Sequence, residues 1–371
     1  MSNEYPLMAF IANEGVAPKG ERYDRSALVT DTVNKLYKKT EKGDFIYSSN
    51  NLETGSIGLN KYGKACISPV YSIFEPTGIA DSDFLGRRLV RKDFINAMVK
   101  WRQGVIYGQW RIHESDFLKI EIPVPSVEEQ RKIGAFLDQL DHLITLHQRK
   151  YDKLQVLKKA MLEKMFPKNG SSVPEIRFKG FTDAWEQRKL GEVVKEVTRN
   201  DPTSEAPIMM ITANNGFIEQ SERYAFDNAG ESLKKYILLQ KGELAYNHGA
   251  SKLRPFGSCF ALTTAESARI PFVYHCFSAE NQNAEFLSIE LNGSEVESQL
   301  RKIVSSGARM DGLLNISFDE YSTVTVLLPD IKEQEHIADF FRNLDHLITL
   351  HQRELEKLQN IKKSMLEKMF V

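Results

Sequence analysis

The apolar positions of this chain follow two different periods. In residues 125–166 and again in 329–370 they recur at helical spacing: Ile133, Phe136, Leu140, Leu143, Leu154, Leu157 and Met161 in the first stretch, Ile337, Phe340, Leu344, Leu347, Leu358, Ile361 and Met365 in the second. Steps of three and four predict a heptad seam, and so two long helices whose apolar stripes need covering. Ser126 three residues before Glu129, and Asp330 three before Glu333, have the spacing of a capping box at each start. Pro167, Gly170 and Pro174 stop the first helix. At 1.5 Å per residue, about 40 residues make a rod of about 60 Å, too long for a core helix of a compact domain. Elsewhere the pattern changes to short β-branched and aromatic runs, such as 65–74, 118–124 and 322–328, broken by Gly, Asn and Pro. These predict strand-rich globules.

The two rods are copies of one another. Asp-His-Leu-Ile-Thr-Leu-His-Gln-Arg at 141–149 recurs letter for letter at 345–353, and the ungapped match spreads over the whole of both stretches. Fainter echoes link the globules: Lys42-Gly-Asp-Phe-Ile-Tyr47 with Lys241-Gly-Glu-Leu-Ala-Tyr246, and residues 112–117 with 316–321. The chain therefore divides into a first globule (1–124), a central helix (125–167), a second globule (168–328) and a C-terminal helix (329–371). Two copies so far apart predict pseudo-two-fold symmetry rather than a solenoid. Antiparallel rods about a dyad at their midpoints would bring Leu140 beside Leu358 and His147 beside His351. The helix interface is accordingly expected at Ile133, Leu140, His147 and Leu154, and at Ile337, Leu344, His351 and Leu358. The symmetry is incomplete at one point. Residues 174–206 introduce the second globule, whereas the first reaches its matching Pro6 almost at once, so about 30 residues expected by symmetry are absent from the first.

Charge complicates the functional reading. The 371 residues carry a net charge of −1, which opposes nucleic-acid binding, since phosphate neutralisation supplies most non-specific affinity. The basic residues are nevertheless clustered: Lys61, Lys64, Arg87, Arg88, Arg91, Lys92, Arg102 and Arg111 in the first globule, Lys234, Lys235, Lys252, Arg254, Arg269, Arg301, Lys302 and Arg309 in the second. Reading base edges needs paired donors and acceptors: Arg or Lys for guanine, Asn or Gln for adenine. Candidates follow the matched strands: Ser49, Asn50 and Asn51 with Lys61 and Tyr62, and Asn247, His248 and Ser251 with Lys252 and Arg254. Gln109, Trp110 and Arg111 form a third candidate edge, in which Trp110 reads as a core residue, and Arg309 is a further candidate. The same Ser/Asn/Gly clusters are also ordinary turn signals.

A search for chemistry finds none. There is no GxxxxGK[ST] loop, and Asn200-Asp-Pro202 reads as a turn. Asp330 and Glu333 are accounted for as helix-cap residues. Cys66, Cys259 and Cys276 lack metal-ligand spacing, are expected to be packing residues, and fit a reducing cytosol. With no apolar run of about 20 residues and no secretory signal pattern, a cytoplasmic protein without membrane contact is expected.

The doubled signature Glu-Gln-x-x-Ile … Leu-Asp-x-Leu-Ile … Lys-x-Leu-Gln-x-x-Lys-Lys-x-Met-Leu, with Gly307-Ala-Arg-Met-Asp-Gly-Leu-Leu-Asn-Ile316 and Phe181-Thr-Asp-Ala-Trp-Glu-Gln-Arg-Lys-Leu190, resembles the specificity (S) subunit of Type I restriction-modification enzymes over nearly the whole chain. The resemblance implies an α+β fold with two target recognition domains separated by two long helices in an antiparallel coiled coil. It implies a non-catalytic subunit that binds a bipartite double-stranded DNA site and recruits two methyltransferase subunits and restriction subunits. S-adenosylmethionine, ATP and Mg²⁺ would belong to those partners, with no cofactor on this chain. Two rival readings are a non-reading scaffold that assembles with methyltransferase subunits and a stand-alone DNA-binding regulator.

Overall fold

A computed structural model of the chain describes residues 3–18, 36–104, 110–213, 216–222, 230–304 and 314–370. Both predicted rods are single helices, Val127–Lys164 and Ile331–Met369. The chain forms two compact units, Met1–His147 with Glu354–Val371, and Gln148–Arg353. Each unit thus contains one globule, one half of each rod, and its own core.

In the first unit a three-stranded antiparallel sheet has Phe45–Tyr47 at its centre, flanked by Ile57–Leu59 and Ser72–Phe74. Phe45, Tyr47, Leu52, Phe94, Met98 and Phe117 are buried beneath it. Helix Ser82–Arg88 connects this globule to the rods, because Phe84 packs with Ile133, Leu137, Leu140 and Phe370. In the second unit the sheet has four strands, in the order Val194–Glu196, His275–Ala279, Leu244–Asn247, Ser258–Ala261. Its core joins Tyr246, Phe277 and Tyr321 to Phe286, Ile337 and Phe341. Cys66, Cys259 and Cys276 are all buried, and burial pushes the Cys259 and Cys276 thiols far up.

The repeat reappears as paired contacts. In the first unit Lys362 Nζ lies 2.5 Å from Asp141, and in the second Lys158 Nζ lies 2.5 Å from Asp345. Asp345 is the repeat equivalent of Asp141, and Lys362 of Lys158. An early residue of one helix meeting a late residue of the other makes the helices antiparallel within each unit. Burial pulls the Asp141 carboxyl up, but hydrogen bonds from Lys362 and Arg87 outweigh it and leave its pKa below the usual range.

Three expectations need correction. The seam follows Ile133, Leu137, Leu140, Ile144 and His147, and Ile337, Phe341, Leu344, Ile348 and His351, whereas Phe136, Leu143, Leu157 and Leu347 face solvent. One track of the heptad was read correctly; the other lies one residue later, where Leu137 and Phe341 follow Phe136 and Phe340. Glu333 is not a capping partner, since both its oxygens accept hydrogen bonds from Arg177, each at 2.7 Å. Residues 118–124 pair with no strand among the described residues, although the equivalent Thr325–Leu328 pairs with Glu186–Lys189. Among the described residues no helix is long and apolar enough to cross a membrane.

Candidate DNA interface

In the first unit the loop after Phe45–Tyr47 is tied to the ribbon of Gln103–Gly104 and Trp110–Arg111. Ser49 Oγ accepts from the Ile112 amide at 3.0 Å, and Asn50 Oδ1 accepts from the Trp110 amide at 2.5 Å. Arg102 donates to the Ser49 carbonyl and to both oxygens of Glu53, at 2.7 and 2.6 Å. Those hydrogen bonds hold the Glu53 carboxyl below its ordinary range. Ser49, Asn50, Asn51 and Arg111 therefore share one polar tip, braced by Arg102. Trp110 is 48 % exposed with the Arg102 guanidinium 5.9 Å from its ring, so the core assignment is corrected: it is an aromatic surface at this tip. Gln109 lies outside the described residues.

Lys61 and Tyr62 lie elsewhere in the unit. Both belong to a turn closed by buried Asn60, whose Oδ1 accepts from the Tyr62 and Gly63 amides. The Lys61 ammonium lies 3.5 Å from Asp83 and 3.9 Å from Asp138, close to where Arg87 binds Asp83, Asp138 and Asp141. Lys61 is thus paired with carboxylates of the fold, while its side chain stays 60 % exposed. Arg87 and Arg88 are likewise committed to acids of the fold.

The second unit also separates its candidates. Asn247 Oδ1 accepts from the Gly249 amide, and its Nδ2 donates to the Ile211 carbonyl at 3.2 Å. His248 is buried, with its ring nitrogens 2.8 Å from the Leu314 carbonyl and 2.7 Å from the Val273 carbonyl, and the His275 ring stacks on it at 5.1 Å. His248 therefore holds backbone together and has no nitrogen left for a base. Ser251 and Arg254 close a turn: the Ser251 amide donates to the Arg254 carbonyl, and Ser251 Oγ accepts from the Arg254 amide, each at 3.0 Å. The Arg254 guanidinium folds inward to the Asn292 carbonyl at 2.9 Å, at the C-terminus of helix Ala284–Leu291. Burial lowers its pKa, and a helix C-terminus suits a cation. Arg254 is thus engaged with the end of a helix, whereas its neighbour Lys252 is exposed. Ser251, Lys252 and Leu253 remain exposed at the tip. Arg309 lies outside the described residues.

A joint between globule and rod escaped the sequence reading. Gln130 is wholly buried: its Oε1 accepts from the Asp81 amide at 2.8 Å, and its Nε2 donates to the Pro125 carbonyl at 2.8 Å. Its repeat equivalent Gln334 does the same with the Asn283 amide and the Pro329 carbonyl, at 3.0 and 2.9 Å. Asp81 and Asn283 each cap the globule helix that follows. Each glutamine thus locks the start of a rod to the start of a globule helix. The signal was present as a Glu-Gln pair held constant in both copies while the residues after it, Arg131 and Glu335, differ.

The chain is an α+β protein of two units, each joining one globule to parts of the two repeated helices. Residues 10–156 match the family described as the Type I restriction modification DNA specificity domain. That match spans most of the first globule and its rod, and the internal repeat carries the same plan through the second. The chain is 23 % identical over 375 residues to the Type I restriction enzyme MjaVIII specificity subunit of Methanocaldococcus jannaschii, covering 93 % of this chain and 84 % of that one. It is similar in fold to the S subunit of a Type I restriction-modification system from M. genitalium, with a TM-score of 0.56, 13 % identity, and coverage of 100 % of this chain and 90 % of that one. The HsdS subunit from Thermoanaerobacter tengcongensis matches with a TM-score of 0.43, 19 % identity, and coverage of 90 % and 82 %. Over residues 10–156 the chain matches that specificity-domain family, and along most of its length it is similar to specificity subunits of Type I restriction-modification systems.

Proposed function

We propose that this chain reads a split double-stranded DNA site, one half per unit, and delivers it to methyltransferase subunits docked on the rods. The observation that carries this reading is the combination of near-identical rods with dissimilar tips: Ser49, Asn50, Asn51, Trp110 and Arg111 on one unit, Ser251 and Lys252 on the other. Identical rods suit two copies of one partner, and different tips suit two different half-sites. Leu143 and Leu146 are 40 % and 38 % exposed, and their equivalents Leu347 and Leu350 are 43 % and 45 % exposed. Each rod therefore carries the same pair of apolar residues outside its seam, a seat for one methyltransferase subunit apiece. Restriction subunits would join through that assembly. The chain itself supplies no catalytic group in this reading; S-adenosylmethionine, ATP and Mg²⁺ would be held by its partners.

Methylome sequencing of a host co-expressing the chain with its methyltransferase subunit tests the reading. A single bipartite adenine-methylated motif, absent when either gene is omitted, is expected. Assembly without any new motif would instead support the scaffold reading, which the uncovered stretch 118–124 of the first unit favours.

A further inference from the structure

At the joint between globule and rod the two units differ in one buried charge. With Asp81 and Asn283 as equivalent caps, Phe84 matches Phe286, Leu85 matches Leu287 and Leu89 matches Leu291, so Arg88 stands opposite Glu290 and Asp93 opposite Glu295. In the first unit the buried member has its counterion, since Arg88 Nη1 lies 2.8 Å from Asp93. In the second unit both members are acids. Glu290 is 7 % exposed and one of its oxygens accepts from the Leu327 amide; among the described residues no donor reaches the other oxygen and no cation pairs with it.

Glu290 lines a cavity of about 530 Å³ that lies wholly within the second unit. Its apolar walls are Leu162 and Phe166 at the end of the first rod, Ala338 and Phe341 near the start of the second, and Phe260 and Ile289 of the globule. Small-molecule sites commonly have volumes of about 300–1,000 Å³. The basic residues that line the cavity leave Glu290 unbalanced. Lys158 pairs with Asp345 at 2.5 Å, Arg342 with Glu285 at 2.7 Å, and Arg254 donates to the Asn292 carbonyl at 2.9 Å, while Lys159 is exposed and neither it nor Lys168 forms an ion pair with Glu290.

A carboxylate taken out of water without a counterion is costly, and burial, with the like charge of Glu295 added, pushes the Glu290 carboxyl up. A cation seated beside it would remove that cost. Rings such as Phe166, Phe260 and Phe341 also attract cations, and they suit a charge carried on an apolar body better than a hydrated metal ion. We infer that this cavity binds a small organic cation, an aryl- or alkyl-substituted ammonium or amidinium, with its charge on the free oxygen of Glu290 and its apolar body against Phe166, Phe260 and Phe341. Nothing in this site depends on the reading of DNA. Binding of a probe, rather than methylation, therefore tests it.

Benzamidine, planar and cationic, titrated calorimetrically into the full chain at pH 8, should bind saturably at a single site. Benzamide, of nearly the same shape but uncharged, should bind more weakly by about tenfold or more. Glu290→Gln keeps an acceptor for the Leu327 amide, and it should weaken benzamidine by about tenfold or more while leaving benzamide unchanged. Circular dichroism checks that this variant folds. Phe260→Ala, at a half-buried wall position, provides a second variant and should weaken benzamidine by about threefold or more. Absence of saturable binding would overturn the proposal. So would equal affinity for the two probes, which would leave only an apolar cavity. Benzamidine binding that survives both Glu290→Gln and Phe260→Ala would overturn it too, since the cation would then sit on an acid elsewhere.

Discussion

Glu290 shows how the environment of one side chain sets a measurable property of the whole fold. It is 7 % exposed, it accepts a hydrogen bond from the Leu327 amide at 3.0 Å, and burial pushes its carboxyl up to about 7. A carboxyl whose pKa rises on folding binds more protons in the folded state. Its favourable contribution is therefore full below the unfolded value of about 4.3 and falls as pH climbs towards 7. Glu290→Gln keeps an acceptor for Leu327 and removes the ionisation. The variant is expected to match the native chain near pH 4.5 and to exceed it by about 1–3 kcal/mol at pH 8. Urea unfolding at the two pH values checks this, and an equal difference at both would mean the carboxyl is not held neutral.

At the scale of the element, the rods show what periodicity can and cannot specify. Their existence and length were legible, because a repeat of this length with heptad spacing admits little else, whereas the antiparallel pairing was implied by the family resemblance and not by the spacing. The face was only half legible. Phe136 and Leu137 are adjacent apolar residues, as are Leu143 and Ile144, and a step of three or four fits either choice. Only the partner decides, and Leu137 is 0 % exposed while Phe136 is 37 % exposed. Leu137→Asp should therefore destabilise the chain by about 3 kcal/mol or more, through an unpaired buried charge, whereas Phe136→Asp should cost under about 1 kcal/mol. Chemical denaturation of the pair would distinguish the tracks, and similar losses would restore the earlier one. The tips were less legible for a related reason. Lys61, His248 and Arg254 sit at promising positions in the sequence, but acids from a distant helix, two carbonyls and a helix terminus claim them. None of those partners is adjacent in sequence.

At the scale of the whole molecule, near-identity of the rods beside divergence of the globules implies exchangeable readers. Gln130 and Gln334 make the same joint with backbone groups, and backbone is insensitive to the identity of the globule attached. A foreign globule should therefore seat on the rod without redesign, provided it brings a helix cap at the position of Asn283. Replacing residues 174–328 by the matching stretch of a related specificity subunit should change one half of the methylated motif and leave the other half intact. The Lys252→Ala change sharpens the comparison, because Lys252 stays exposed at the tip while Arg254 is folded inward. If Lys252 contacts a base, its loss should relax one half-site at a cost of about 1–3 kcal/mol; if it contacts phosphate, all sites should weaken alike and the salt dependence should flatten. Methylome sequencing of the exchanged chain, beside binding measured at two salt concentrations for the single variant, reads both outcomes. A motif unchanged by the exchange, or altered in both halves at once, would rule out independent reading by the two units.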